Sequence, residues 1–235
     1  MLVGNARSNL RNLHNPLICD MRLLLCAATP FEIAPVVEFI KEQNFPGIEV
    51  LITGVGMTAA TYTLTKSVLG KRPDFILQAG VAGCLDEALP LTRIVLVEHE
   101  TIGDLGVMQQ GKFNSLFDLG LLNKNDPPWK DGKLSNNIES LSQTGLTIVN
   151  GVTVNEISTD RERIQFYREE LGASIESMEG AALHYVALME NIRFLQIRSL
   201  SNFAGERDKS KWVMDMAIAN LNLELQRMFT KILNR

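Results

Sequence analysis

Cysteine is scarce in this chain: three residues, Cys19, Cys26 and Cys84, among 235. The odd number argues against a closed disulfide framework, and the spacing matches no thiolate metal site, so a reducing, cytoplasmic setting is expected. No cluster of His, Cys and Asp has ligand spacing either, so no metal and no organic cofactor is implied. No apolar run approaches the roughly 18 residues that a membrane-spanning helix requires. The longest clean one, at 23–28, is the length of a strand. There is no excess of positive charge, the formal net charge being −4. Neither nucleic acid nor an anionic membrane surface is therefore an expected partner. An internal repeat and the compact apolar segment of a secretory leader are missing as well.

What remains is a chain that is 46% hydrophobic, enough for a substantial core. The first stretch, "MLVGNARSNLRNLHNPLICD", is rich in Asn and Arg and has no sustained period. It reads as a disordered or weakly ordered extension over 1–20, with a single domain expected over 21–235. Continuous apolar runs at 22–28, 48–53, 74–79, 93–100, 145–151, 174–178 and 192–200 predict strands, most of them buried on both faces. Helical spacing predicts helices at 29–43, 57–70, 159–171, 180–190 and 209–233. Thr29 and Pro30 suit the N-cap and first position of the first of these. The polar stretch 123–144, with Pro127-Pro128, reads as a loop. Strands alternating with helices define an α/β class, here a central mixed, largely parallel twisted sheet flanked by helices.

In such sheets ligands sit beyond the carboxyl ends of the strands, and the unusual residues gather there. Glu32 follows the first strand, Gly54-Val55-Gly56 the second and Gly80-Val81-Ala82-Gly83 the third. Met178 and Glu179 follow the short strand at 174–178, and Ser201 and Asn202 follow the last. Glycine turns let a ligand approach the backbone, and helix N-termini offer N–H donors to oxygen-rich groups. Each residue also has an ordinary explanation. Thr29-Pro30-Phe31-Glu32 fits a capping box. An acidic residue in a helix's first turn suits the dipole, and Asn202 suits a turn. His99 and His184 read as core or edge histidines, Trp212 and the methionines of the last helix as core, and Arg161, Arg163 and Arg168 as a solvated face.

Taken together, "GVG…QAGVAG…SMEGAA…QIRSLSNFAGERD" resembles the nucleoside phosphorylase and nucleosidase superfamily, in order and across 21–235. Within it, "SNFAGERDKSKW" is most similar to the futalosine hydrolases, with methylthioadenosine/S-adenosylhomocysteine nucleosidases as near relatives. The resemblance implies a purine nucleoside phosphorylase-like fold, a small-molecule nucleoside substrate and a dimeric or larger homo-oligomer. It implies that Glu179 holds the ribose hydroxyls, that Met178 packs under the sugar and that Glu32 positions and deprotonates water. Val55, Gly56 and Gly80 to Gly83 would line the water and ribose pocket, and Val154 and Asn155 would fall near the base-binding loop. Segment 101–113 would suit an interface, with Phe113 a candidate to reach into a neighbour's site.

Two departures bear on chemistry. Adenine-specific relatives carry Asp where this chain has Asn202. A side-chain amide can offer two N–H donors, which suits N7 and a 6-oxo group, so a 6-oxopurine such as hypoxanthine is expected. An amide oxygen turned toward a 6-amino group is the alternative. The related phosphorylases place a cation before the third-strand turn, whereas here that strand reads Phe75-Ile76-Leu77-Gln78. Phosphate would lack its counter-charge, so water is the expected nucleophile. A phosphorylase, a methylthioadenosine nucleosidase and a non-catalytic nucleoside-binding protein remain open at this point.

Overall fold

The structure, a computed structural model, describes residues 21–45, 47–136 and 144–233. The extension expected at 1–20 lies outside the described residues. Strand β1 (Leu23–Ala27) is buried along its whole length, as its unbroken apolar run requires. It pairs in parallel with β2 (Ile48–Ile52) on one side and β3 (Phe75–Cys84) on the other. Helix α1 (Pro30–Glu42) covers one face, packing Ile33, Val36 and Ile40 with Leu221, Leu225 and Phe229 of α5 (Met214–Leu233). The other face is covered by α2 (Met57–Gly70) and α4 (Gly180–Met189), whose Leu64, Val68, Leu183 and Val186 meet Leu24, Cys26, Ile76 and Phe194. Helix α4 is apolar nearly all round and accordingly almost wholly buried.

The remaining strands are β4 (Ile94–Ile102), β5 (Gly106–Gln109), β6 (Lys112–Ser115), β7 (Leu134–Ser135), β8 (Thr147–Thr153), β9 (Ile175–Ser177) and β10 (Arg193–Phe203), with α3 (Arg161–Glu169) between β8 and β9. The sheet is mixed, as expected, but it is not a plain open twisted sheet. β3 pairs with both β9 and β10, and the path β10–β4–β8–β9–β3 closes on itself as a five-strand ring, from which β1 and β2 extend. Within it β3–β10, β4–β8 and β8–β9 are parallel, while β4–β10 and β3–β9 are antiparallel. Irregularities at Val97/His99 in β4 and Leu200/Asn202 in β10 shift the register. Bulges of this kind increase bending and help a sheet to close.

Several expected boundaries move. β3 runs through Gly80–Cys84 instead of turning there, because Val81 and its neighbours keep pairing with β10. For the same reason Ser201 and Asn202 lie in the last part of β10, not beyond it. The last helix begins at Met214, after a separate single turn at Lys209–Lys211. Residues 106–115 form a hairpin that sequence periodicity did not predict. In it Phe113 packs edge-on against Phe166 of its own chain, centroids 5.7 Å apart. Among the described residues no helix is long and apolar enough to cross a membrane.

Candidate active site

Glu32, Glu179 and Asn202, distant in sequence, line one cavity of about 320 Å³. It lies at the carboxyl ends of β1, β3, β9 and β10. Val55, Val81, Ala82, Gly83, Met178 and Ser201 line it with them.

Glu32 serves two purposes at once. Its Oε2 accepts from the backbone N and the Oγ1 of Thr29, both at 3.0 Å, as a helix cap does. Its Oε1 accepts from Val81 N at 3.1 Å. Capping therefore holds one oxygen and presents the other toward the cavity. Gly80 stands behind this wall: a side chain there would run into the Arg198 guanidinium and Glu32 Oε1.

Glu179 is the N-cap of α4, yet its carboxylate caps nothing in its own helix. Oε1 instead accepts from Gly56 N at 2.9 Å, at the start of α2, and Oε2 lies 3.9 Å from Arg198 Nη2. Gly56 adopts φ +91°, a conformation that glycine takes without strain, and this turns its N–H to the carboxylate. The acid is thus anchored by a neighbouring helix and a cation, and only 6% of its surface is exposed.

Asn202 is aimed by the β10 bulge. Its Oδ1 accepts from Ser201 Oγ at 2.9 Å and its Nδ2 donates to Phe203 O at 2.9 Å. One amide N–H is left for a ligand, where the sequence suggested two. Val154 and Asn155 are not in the cavity. Val154 continues the inward alternation of β8 and is buried against Tyr167. Asn155 gives its backbone N and Nδ2 to Asp104, at 2.7 and 3.2 Å. The same loop reaches the cavity two residues later, through Ile157.

Sequence reasoning missed five residues here. Arg198 is 1% exposed and reaches the site from β10; its Nη2 donates to Gln78 Oε1 at 2.9 Å. A charge inside the apolar run "FLQIRSL" was the available signal, since a buried guanidinium requires partners. Glu176 lines the cavity, and burial pushes its carboxyl above the usual range. Arg207 and Trp212 also line it, the guanidinium 5.5 Å from the ring, so Trp212 is a wall rather than core. The fifth residue, Glu100, lies inside the ring, wholly buried, with burial raising its pKa to about 7. It accepts from Gln196 Nε2 at 2.8 Å and Thr153 Oγ1 at 2.9 Å, and Thr153 Oγ1 in turn accepts from Ala181 N at 2.8 Å. His184 is a core histidine, as expected, with burial lowering its pKa to about 3.

A small cavity at strand ends, walled by the carboxyls of Glu32, Glu176 and Glu179 and the amide of Asn202, with the buried Arg198 guanidinium beside Glu179, defines a binding site for a polar, hydroxyl-bearing small molecule on a mixed α/β sheet. The chain belongs to the phosphorylase superfamily, whose family model matches residues 25–233. Its relatives include the futalosine hydrolase of Thermus thermophilus, 29% identical over 198 residues, covering 79% of this chain and 82% of that one. They also include that of Streptomyces coelicolor, 29% identical over 182 residues, covering 74% and 75%. Among solved structures, Helicobacter pylori futalosine hydrolase superposes with a TM-score of 0.75 at 18% identity, covering 90% of this chain and 98% of that one. A methylthioadenosine/S-adenosylhomocysteine nucleosidase from Colwellia psychrerythraea, solved with adenine, gives 0.74 at 18% identity, covering 90% and 96%. The likeness to these two structures is one of fold.

Proposed function

We propose that this protein is a nucleosidase that hydrolyses the N-glycosidic bond of futalosine, releasing hypoxanthine and dehypoxanthine futalosine. The observation that carries the reading is the meeting of Glu32, Glu179 and Asn202 around one cavity. The futalosine hydrolases among its relatives supply the substrate.

In this reading Glu179 takes the ribose hydroxyls in charge-assisted hydrogen bonds, and Met178 packs under the sugar. As the bond to the base lengthens, positive charge grows on the sugar, as in glycoside hydrolysis generally. Glu32 Oε1 accepts a hydrogen bond from a water placed to attack C1′ and takes its proton as the hydroxyl adds. Asn202 donates to N7 of the departing base and so stabilises the charge left on it. Val55, Gly56 and Gly80 to Gly83 shape the water and ribose pocket, and Ser201 holds the Asn202 amide.

Water is favoured over phosphate by charge. The guanidinium absent from the third strand is supplied by Arg198, but it faces Glu179 at 3.9 Å and Gln78 at 2.9 Å. Arg198 is thus already engaged by one carboxylate and one amide, and Arg207, the other cation near the cavity, stacks on Trp212. The enzyme would act in a reducing cytoplasm, where Cys26 and Cys84 stay thiols. It would act as a homodimer or larger assembly, because Val55 at the cavity and Tyr62 and Leu69 along α2 expose 59%, 67% and 69% of their surfaces. A monomer mass by light scattering would remove that part.

The test is to incubate the protein with futalosine, inosine and methylthioadenosine, with and without phosphate, and to measure free base by chromatography. Phosphate-independent release of hypoxanthine from futalosine is expected. A phosphate requirement, or release of adenine alone, overturns the reading.

A further inference from the structure

Asn202 offers a single free N–H, and one donor at N7 does not tell a 6-oxopurine from a 6-aminopurine, since both carry N7 as an acceptor. Discrimination therefore needs a second group on the base. Sheet register supplies one. Gly83 of β3 pairs with Asn202 of β10 on one side and with Glu176 of β9 on the other. At the usual strand spacing the two flanking residues stand roughly 10 Å apart across a glycine. A side chain at Gly83 would meet nothing nearer than Ala204 at 3.8 Å, so the space above it is open. Asn202, Gly83 and Glu176 all line the cavity.

Glu176 is 7% exposed, and its bonding is incomplete. Oε1 accepts from Ser158 N at 3.1 Å, while Oε2 is buried without a partner. Leaving a carboxylate oxygen unpaired out of water is costly, and a ligand donor would relieve it. The groups that act on it are the Ser158 hydroxyl and backbone N–H, then Asp104 and Arg163, of opposite sign. The hydroxyl lies near but makes no hydrogen bond, and neither charged residue supplies the missing one.

We propose that Glu176 is a specificity residue whose Oε2 accepts N1–H of a 6-oxopurine lying over Gly83, opposite Asn202. A 6-aminopurine presents a bare N1 acceptor there, and acceptor would face acceptor. The proposal rests on the nucleosidase reading for its ligand but is tested on free bases, without turnover.

The experiment compares binding of hypoxanthine, 1-methylhypoxanthine and adenine to the whole protein by calorimetry, for the wild type and Glu176→Gln. Wild type should bind hypoxanthine at least tenfold more tightly than 1-methylhypoxanthine, which lacks the N1 proton. In Glu176→Gln, Ser158 N holds the amide oxygen, so the amide N–H faces N1. The preference should then move toward adenine by 10²-fold or more, as expected when a polar match becomes a mismatch in a dry site. A Glu176 that only orders the Ser158 loop would weaken all three bases alike. Equal wild-type affinity for hypoxanthine and its 1-methyl form, or a hypoxanthine-to-adenine ratio unchanged in the variant, overturns the proposal. The wild-type comparison stands even if the variant does not fold. If no nucleoside is cleaved while the base preferences hold, the activity assignment fails and this one survives.

Discussion

Replacing Glu100 by glutamine should change how stability depends on pH. The carboxyl is wholly buried, and burial raises its pKa from the ordinary 4.5 to about 7 against the opposing pull of Gln196, Thr153 and Arg198, with Glu179 adding to the rise. The folded protein thus holds this proton more tightly than the unfolded chain does. Stability falls as pH rises from about 4.5 to about 7 and is flat above that. The whole change is about 3 kcal/mol at roughly 1.4 kcal/mol per pH unit. Hydrogen bonding agrees with a neutral acid. Gln196 Oε1 and His184 Nε2 are both buried without partners. His184 Nδ1 faces Leu134 O at 3.0 Å, which makes Nε2 the acceptor. Turning the Gln196 amide over would let a protonated Glu100 donate to its oxygen while its NH2 donates to His184. Glutamine at 100 mimics that neutral acid at every pH. Relative to wild type, Glu100→Gln should therefore gain about 3 kcal/mol between pH 4.5 and pH 8, a relative rise of about 6–12 °C in melting temperature for a chain of this size. Urea unfolding and matched-rate melting at several pH values measure it. A difference between the two proteins that stays constant from pH 5 to pH 8 would refute a carboxyl that folds neutral.

Two further outcomes concern the candidate site. Glu32→Gln should keep nucleoside binding within a few-fold while lowering turnover by 10² or more, the usual loss when a general base is removed. Equal single-turnover rates would leave Glu32 as a helix cap only. Asn202→Asp should raise the kcat/KM ratio of 6-amino over 6-oxo nucleosides, because a protonated Asp can donate to N7 while its other oxygen accepts from the amino group. An unchanged ratio would confine base choice to other residues.

The elements that could be read from the sequence are those whose signals are local. β1 and β3 are runs buried on both faces, and α1 opens on Thr29-Pro30 with Glu32 reaching back to cap it. The ring could not be read, because it depends on which strand ends meet. β9 is three residues long and joins β8 to β3 by pairings that no periodicity encodes. The same pairings decide the cavity wall. They put Glu176 across from Asn202 and withdraw Val154 and Asn155, whose directions depend on a turn after β8. Trp212 was taken for core because an aromatic near an amphipathic helix usually is. Its indole N–H, given to Glu206 O at 3.0 Å, fixes it at the rim.

Closing the sheet also ties the interior acid to the one at the cavity. Glu100 points inward from β4, directly beneath the start of α4, so close that a side chain on Gly180 or Gly151 would collide with it. Through Thr153 it fixes Ala181 N, and with it the first turn of the helix whose cap is Glu179. Arg198 feels both acids. A guanidinium serving both acids is over-committed if both are ionised, and a neutral Glu100 relieves that excess by leaving the cation to Glu179, which lines the cavity. An arriving phosphate would restore the excess of negative charge, whereas water adds none. The acid kept uncharged inside the ring and the choice of an uncharged nucleophile outside it thus both follow from a buried guanidinium that two acids share.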